Sequence, residues 1–175
     1  TEDLWVTTGD DNHESAIWVT SNRFSSLKKV VFGSQQTRAV DLVFTERHVY
    51  FGSDTPHERN WIYRWNRDTG EVERLQEVES SVFYGTRIGN WILFSTACEH
   101  SRVNQKSSTF VWGTQDGVHW KRLATFRKDI WPCGYFEHGQ LRFPTGTSDS
   151  KRLYLTPIAV ECHEQVVECS LPTEL

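Results

Sequence analysis

Short apolar segments alternate with polar turns along the whole chain. One type of segment, rich in aromatic and β-branched residues and closed by a polar turn, occurs four times: Leu4–Asp10, Val49–Asp54, Ile92–Thr96 and Leu141–Gly146. Segments of this composition favour β-strands. No stretch of about a dozen residues carries apolar side chains at the i, i+3, i+4, i+7 spacing of an amphipathic helix. The pattern therefore predicts an all-β protein with almost no helix.

A β-hairpin is predicted at Thr109–Leu123, where two apolar strands flank the polar turn Thr114–Val118. Gly117 can adopt the positive φ that a tight turn requires. The carboxylate of Asp116 can accept hydrogen bonds from the backbone N–H groups of the same turn. Trp120 opens the second strand and is expected to fold back over the turn.

The hairpin recurs along the chain. Trp61–Leu75 has the same layout, with Asp68 placed 48 positions before Asp116, and Ala16–Val30 is a third copy. A further short strand precedes three of the four segments described above, at Val40–Thr45, Ser81–Thr86 and Gly134–Glu137. A repeat of this length with four short antiparallel strands is typical of the blades of a β-propeller.

We therefore predict one domain, a β-propeller of four-stranded antiparallel blades, with about four repeats at residues 1–34, 40–78, 81–126 and 134–171. Three repeats are expected to be complete, and the first is expected to lack its first strand. Pro157 falls in the third strand of the last repeat. Because proline donates no hydrogen bond to a ladder, this strand should be irregular or at an edge.

The pattern Thr114-x-Asp116-Gly117-x-x-Trp120 resembles the Asp-box turn, or BNR repeat, of sialidase-like β-propellers, and it is one position shorter than the usual box. The resemblance implies that these four residues stabilise a turn, and it indicates a fold more strongly than a function. Propellers with Asp boxes often bind or process glycans. The catalytic residues of sialidases are not carried over, because no local motif of that active site occurs and the chain is too short for a sialidase propeller.

The strand missing from the first repeat would leave an open edge at each end of the chain, and natural sheets normally cover such edges. Three arrangements meet this requirement: a compact four-bladed ring, two chains that share one larger ring as a homodimer, or a fragment of a longer chain. The chain begins with Thr, contains no Met and shows no signal peptide. These features favour the last two arrangements.

Composition restricts the classes of function. A chain of 175 residues with 37% hydrophobic and 24% charged residues is long enough for a core and is not disordered. No apolar run approaches the roughly 18 residues of a transmembrane helix. The net charge is −4 and the basic residues are scattered, which gives no electrostatic basis for nucleic-acid binding. We expect neither a membrane nor nucleic acid as a partner, and the cellular compartment stays open.

The four cysteines, Cys98, Cys133, Cys162 and Cys169, show no metal-binding spacing and are too few for a disulfide scaffold. They are interpreted as ordinary buried thiols, with a cross-strand disulfide between Cys162 and Cys169 as the alternative in an oxidising compartment. No Gly-rich phosphate loop, H-E-x-x-H or G-x-S-x-G motif occurs, so no cofactor is evident apart from a candidate divalent metal.

Candidate chemistry lies in the loops between the second and third strands of the repeats. Two of these loops, Asp10–Glu14 and Asp54–Glu58, share the pattern D-x-x-H-E at a spacing of 44 residues, and the third contains Glu99 and His100. Equivalent loops of successive blades point towards one axis, so six side chains are expected to converge: His13, Glu14, His57, Glu58, Glu99 and His100. The three histidines are candidate ligands of a divalent metal. The alternative is that the aspartates only accept backbone N–H groups while the His and Glu side chains lie in solvent.

Arg127 and Trp131, which precede the last repeat, are further candidates because they combine a charge with a surface for stacking a sugar; packing against the next repeat is the alternative for Trp131. The leading hypothesis is a module that binds carbohydrate or another polar ligand at the loops. The second is a glycan-processing hydrolase or lyase that uses the His and Glu residues, so enzymatic activity is left open. The third is a scaffold that binds proteins and has no small-molecule site.

Overall fold

The computed structural model describes residues 3–172, which are organised as β-strands joined by turns. The helical residues in this range are limited to a 3-10 turn at Gln35–Thr37. The strands are β1 (Leu4–Thr8), β2 (Ala16–Thr20), β3 (Lys28–Phe32), β4 (Leu42–Phe44), β5 (His48–Gly52), β6 (Asn60–Asn66), β7 (Val72–Val78), β8 (Val82–Ile88), β9 (Trp91–Thr96), β10 (Ser108–Thr114), β11 (Lys121–Arg127), β12 (Gln140–Arg142), β13 (Thr147–Ser148), β14 (Arg152–Ile158) and β15 (Val167–Ser170). The prediction of an all-β protein is confirmed.

The strands form four sheets. The first sheet contains β1, β2 and β3, and the second contains β4 to β7 as an antiparallel meander. The third contains β8 to β11 as another meander, with β13 added beside β8 in parallel orientation. In the fourth sheet, β14 pairs with both β12 and β15. The middle two repeats thus have the four antiparallel strands expected of them, and the first has the expected three.

The prediction that the last repeat is complete is wrong. The strand expected at Gly134–Glu137 is replaced by turns, in which the N–H groups of Tyr135 and Phe136 donate to the carbonyl oxygen of Pro132. Both aromatic rings are exposed. The segment therefore lacks the buried face that holds a strand in a sheet.

The strand that holds Pro157, β14, is the central strand of the fourth sheet and not the edge strand that was expected. Residues 152–155 of β14 pair with β15, and residues 156–158 pair with β12. Pro157 consequently has a neighbouring strand on one side only, and its missing N–H breaks no ladder on the other side.

Buried apolar side chains form three clusters, each between two consecutive sheets. One cluster, with Ile17 and Phe51, joins the first and second sheets. The next, with Phe94 and Tyr50, joins the second and third, and the last, with Leu155, joins the third and fourth. Among residues 3–172, none of these clusters joins the fourth sheet to the first, and no sheet closes on itself.

A β-bulge recurs between the last two strands of the first three sheets. The register shifts at Ile17/Trp18, at Ile62/Tyr63 and at Val111/Trp112. Each shift leaves one residue of the last strand unpaired: Val30, Leu75 and Leu123. Because a bulge bends a strand and increases its twist, its recurrence at one place indicates that the three sheets are copies of one unit.

The cysteines are free thiols, and no disulfide joins Cys162 to Cys169. Cys98 is buried as expected, whereas Cys162 is exposed in the turn between β14 and β15. No helix in the described range is long and apolar enough to cross a lipid bilayer.

Candidate functional site

The turn between β10 and β11 has the hydrogen bonds expected of Asp116. One carboxylate oxygen accepts from the N–H groups of Val118 and His119, both at 2.8 Å, and from the hydroxyl of Thr114 at 2.9 Å. The other oxygen lies 2.6 Å from Nδ1 of His119. This side-chain contact, followed by the backbone N–H groups, lowers the pKa of Asp116 below its usual value. Gly117 has the expected positive φ, 74°.

Trp120 is buried behind this turn. Its ring centre lies 5.8 Å from that of Phe94 and 6.3 Å from that of Tyr50, within the core between the second and third sheets. The turn therefore serves the fold. Because β10 separates this turn from the β9–β10 loop, the turn lies at the end of the sheets opposite the loops with candidate chemistry.

Most of the predicted side chains in those loops lie in solvent. The side chain of His13 is 77% exposed and lies 3.7 Å from that of Glu14. The His57 ring is exposed and has no hydrogen-bond or ion-pair partner in the described part of the chain. Glu58 is also exposed, and its carboxylate accepts a hydrogen bond from Gln36 at 2.8 Å.

The third loop places its two candidates differently. Glu99 is partly buried and accepts a hydrogen bond from the hydroxyl of Ser81 at 3.2 Å. His100 is exposed, with Nε2 3.4 Å from the hydroxyl of Ser107. Within residues 3–172, no three His, Cys, Asp or Glu side chains are arranged to hold a metal ion. The predicted histidines are thus not gathered into such a group.

The aspartates that open the loops, by contrast, meet at one arginine. The guanidinium group of Arg38 lies 3.2 Å from the carboxylate of Asp54 and 3.4 Å from that of Asp10. Asp10 and Asp54 are the equivalent first residues of the two D-x-x-H-E loops. A hydrogen bond of 2.9 Å from the Asp54 N–H to the Arg38 carbonyl oxygen holds the two backbones together.

Asp54 is buried, with 7% of its side chain exposed. Burial raises the pKa of Asp54 above its usual value, while the charge of Arg38 and a hydrogen bond with Ser81 oppose this rise. The Ser81 hydroxyl, whose proton is donated to Glu99, lies between two carboxyl groups. Asp54 therefore binds a proton more readily than an exposed aspartate does.

His138, in the connection that leads to the fourth sheet, approaches Glu99. Cys98 and Gly139 form an antiparallel bridge, with a hydrogen bond of 2.6 Å from the Cys98 N–H to the Gly139 carbonyl oxygen. Nε2 of His138 lies 4.0 Å from a carboxylate oxygen of Glu99. Nδ1 of His138 is buried and has no partner within the described range.

Together these residues form a group that we call the polar cluster. It consists of Asp10, Arg38, Asp54, Ser81, Glu99 and His138.

Exposed aromatic rings lie in the segment just before His138. Tyr135 is 88% exposed, and the half-exposed rings of Trp131 and Phe136 have centres 5.1 Å apart. An exposed apolar patch rimmed by polar groups commonly marks a binding surface. We call residues 130–136 the aromatic segment.

Hydrogen bonds anchor the aromatic segment to the fold. The ammonium group of Lys128 is buried, where it pairs with Asp129 and donates to the Trp131 carbonyl oxygen at 2.9 Å. Asp129 in turn accepts from the Trp131 N–H at 3.0 Å. The thiol of Cys133 donates to the Cys98 carbonyl oxygen at 3.3 Å. Burial, followed by the contact with Cys133, raises the pKa of Cys98 to about 12, so this thiol is unreactive at neutral pH.

Arg127 lies in the same connection, and its guanidinium group is exposed. Its backbone N–H and carbonyl oxygen both bond to Glu161. Trp131 belongs to the aromatic segment, which the hydrogen bond of Cys133 joins to Cys98, the residue before Glu99.

Of the D-x-x-H-E motif, the structure brings the first aspartates to Arg38 and leaves the His and Glu side chains exposed. Asp10 and Asp54 were detectable as the repeated first residues, but an aspartate at a loop start usually serves its own turn. Arg38, Ser81 and His138 lie in connections that share no motif. No local signal identifies them, because their proximity depends on how four sheets pack.

Compared with known proteins, the sequence matches no family model and no curated protein. What the site can do follows from its side chains. The carboxylates accept hydrogen bonds from hydroxyl groups and Arg38 donates them, while Asp54 and Glu99 can exchange a proton with a bound molecule.

Proposed function

We propose that the chain is a module of the Asp-box β-propeller kind that binds carbohydrate at the polar cluster. One observation supports this most directly: side chains from connections of all four sheets meet there, next to exposed aromatic rings. A sugar presents hydroxyl groups at its edges and C–H groups on its faces. The side chains of the polar cluster can form hydrogen bonds with the hydroxyl groups, and the rings of the aromatic segment can pack against the C–H groups.

The propeller arrangement is supported by the recurring bulge, by the serial packing of the sheets and by the meeting of equivalent loop residues. Blades related by rotation about one axis bring equivalent loops towards that axis. Within the described residues, no core joins the fourth sheet to the first. We propose that a second copy, or further sheets of a longer chain, complete the ring.

The energetics of Asp54 and Arg38 also favour a function for the polar cluster. Removing charged groups from water costs several kcal/mol per ion, and a buried ion pair is often no more stabilising than apolar residues of similar size. Asp54 and Arg38 lie where several loops meet, and their charges add little stability there. We therefore attribute these charges to recognition of a ligand.

Titration calorimetry with neutral oligosaccharides, selected on a glycan array, tests this function. Asp54→Asn, Glu99→Gln and Trp131→Ala should each weaken binding at least about tenfold, which corresponds to about 1.4 kcal/mol. The first two variants remove a charged acceptor, and the third removes the stacking surface.

Two controls address the specificity of these losses. Asp68→Asn changes the same chemical group in the turn between β6 and β7, at the opposite end of the sheets. The double variant His57→Ala/Glu58→Ala changes the exposed part of the Asp54 loop. Both should bind like the wild type. Equal losses in Asp68→Asn and Asp54→Asn, or no binding of any neutral glycan by the wild type, would contradict the proposal.

Glycan hydrolysis or elimination is the second candidate function, and the environment of Asp54 favours it. A carboxyl group with a raised pKa next to a second carboxyl group is the usual arrangement of a general acid and its partner. Asp54 would be the acid, and Glu99 beside His138 would be the base or nucleophile. Product formation detected by mass spectrometry, and lost in Asp54→Asn and in Glu99→Gln, would establish an enzyme. Binding without product supports the module, and neither binding nor product supports a protein scaffold.

A further inference from the structure

A second cleft lies between the second and third sheets, outside the polar cluster. It has a volume of about 820 Å³ and is bounded by β6 and β7 on one side and by the β9–β10 loop and the last two strands of the third sheet on the other. Ligand sites typically have volumes of about 300–1,000 Å³. No residue of the polar cluster lines this cleft.

Cationic side chains dominate the lining. The charged residues are Arg59, Arg102, Lys106, Arg122, Glu77 and Glu79. Arg59 lies 2.8 Å from Glu77, and Arg122 pairs with Glu79. The side chains of Arg102 and Lys106 have no ion-pair or hydrogen-bond partner in the described part of the chain. The lining thus carries a surplus of two positive charges, although the net charge of the chain is −4.

The loop that carries the two unpaired cations is held in place. The hydroxyl of Ser101 accepts from the N–H groups of Val103 at 3.2 Å and Asn104 at 3.0 Å. The buried amide of Asn104 bonds to the amide of Asn60 at 3.0 Å and to the Thr55 carbonyl oxygen at 3.3 Å. Both cations therefore project from a loop that is ordered before binding, which reduces the entropic cost of holding an anion.

The cleft offers no free aromatic face. Trp112 lines it, but its Nε1 donates to Glu79 at 3.2 Å, and the guanidinium group of Arg122 covers the ring at 5.4 Å from the centre. Nucleobases would gain little here, because stacking supplies much of their binding energy. The remaining polar lining consists of amide side chains. Those of Asn60 and Asn104 are buried and bonded to each other, so Gln76 and Gln105 are the amides that can bond to hydroxyl groups of a ligand.

We propose that this cleft binds an acidic oligosaccharide. Its carboxylate or sulfate groups pair with Arg102 and Lys106, and its hydroxyl groups bond to the side chains of Gln76 and Gln105. The inference depends on the cleft alone and not on the polar cluster.

Calorimetric titration of the whole chain with trigalacturonate, with sulfated maltotriose and with neutral maltotriose tests the inference. The wild type should bind at least one acidic probe, and which one it binds identifies the anionic group. Arg102→Ala/Lys106→Ala should weaken that binding at least tenfold. Raising the salt concentration from about 20 mM to about 200 mM should weaken the binding of the wild type more than that of this variant, because two ion pairs are screened.

Matched controls distinguish binding in this cleft from general electrostatic attraction to cations elsewhere on the chain. Lys28→Ala/Arg47→Ala removes two exposed cations outside the cleft and should leave acidic binding unchanged. Arg102→Lys/Lys106→Arg keeps the charge and should retain most of the affinity. Asp54→Asn should abolish binding of neutral glycans at the polar cluster and leave acidic binding intact, so the two proposals fail independently. Equal losses in the two double Ala variants, or no binding of either acidic probe, would overturn the inference.

Discussion

Gly117 and Gly70 have nearly the same backbone conformation in different surroundings, with φ values of 74° and 76°. A Cβ atom on Gly117 would lie 2.2 Å from the hydroxyl oxygen of Tyr50, whereas a Cβ atom on Gly70 would meet nothing within 4 Å. The Tyr50 ring is buried against Trp120 and has little room to move. Backbone conformation favours glycine at both positions, and packing requires it at Gly117 as well.

We expect Gly70→Ala to lower the free energy of unfolding by about 1 kcal/mol, because the left-handed conformation strains a residue with a Cβ atom. Gly117→Ala should cost about 1–3 kcal/mol more, because the added atom also displaces Tyr50. Denaturant unfolding of both variants measures the difference. Equal losses would show that the turn moves freely away from Tyr50.

The carboxylate of Asp116 makes its contribution to stability only when it is ionised. Its side chain is 55% exposed, so we expect Asp116→Ala to cost only about 1 kcal/mol at pH 7. Because the folded-state pKa is lowered, this contribution is present above the unfolded-state value of about 3.9 and is lost as the pH falls below it. Unfolding curves at neutral and at acid pH check this. Loss of ligand binding with unchanged stability would contradict a structural role.

At the scale of the elements, the first strands of consecutive sheets touch directly. A Cβ atom on Gly85 in β8 would lie 2.6 Å from Cγ2 of Val43 in β4 and 2.5 Å from Cε1 of Phe94 in β9. The Gly85 N–H donates to the carboxylate of Asp41 at 2.9 Å. The distance between the second and third sheets is therefore set by the absence of a side chain at Gly85.

We predict that Gly85→Ala lowers the free energy of unfolding by about 1–3 kcal/mol through overpacking. Val43→Ala alone leaves a cavity and should cost a similar amount. Combined, the two changes should cost somewhat less than their sum, because Val43→Ala removes one of the two close contacts of the new methyl group and leaves the contact with Phe94. Additive losses in the double-mutant cycle would refute the close contact.

Gly134→Ala is the control for this prediction. A Cβ atom on Gly134 would meet nothing within 4 Å, so this variant should change the free energy of unfolding by less than about 0.5 kcal/mol.

Asp54 belongs to the scale of the whole molecule, since its partners Arg38 and Ser81 come from connections between different sheets. Burial raises the pKa of Asp54, so the folded state binds a proton more readily than the unfolded state. The stability gained from protonation is present below about pH 4 and is lost as the pH rises through the folded-state pKa.

We therefore expect Asp54→Asn to be at least as stable as the wild type at pH 7, while it loses neutral-glycan binding. The difference in unfolding free energy between the variant and the wild type should increase as the pH rises from about 4. Asp68→Asn, in an exposed turn, should show no such trend. Marked destabilisation of Asp54→Asn at pH 7 would mean that the ion pair with Arg38 outweighs the cost of burial.

Strands and turns were predictable because their causes are local. Alternating apolar residues hold a strand in a half-buried sheet, and the Asp116-Gly117 pair determines a turn through its own conformation and hydrogen bonds. The failed strand at Gly134–Glu137 has the composition of a strand, but the sheet leaves its aromatic side chains without a surface to cover them. Whether this segment forms a strand depends on a covering surface from another part of the chain, which the local sequence does not contain.

The sequence by itself thus determined the all-β class, the repeat and the loops that carry candidate chemistry. The tertiary structure alone decided which side chains of those loops meet. His13 and His57 are as well placed in the repeat as the aspartates, yet Asp54 is buried against Arg38 while the histidines lie in solvent. Asp10 reaches the same Arg38 from a position where its side chain stays exposed. The physical reason is that Asp54 follows the buried strand β5 and packs against the connection that carries Arg38, whereas the histidines lie further along their loops, where they are left exposed.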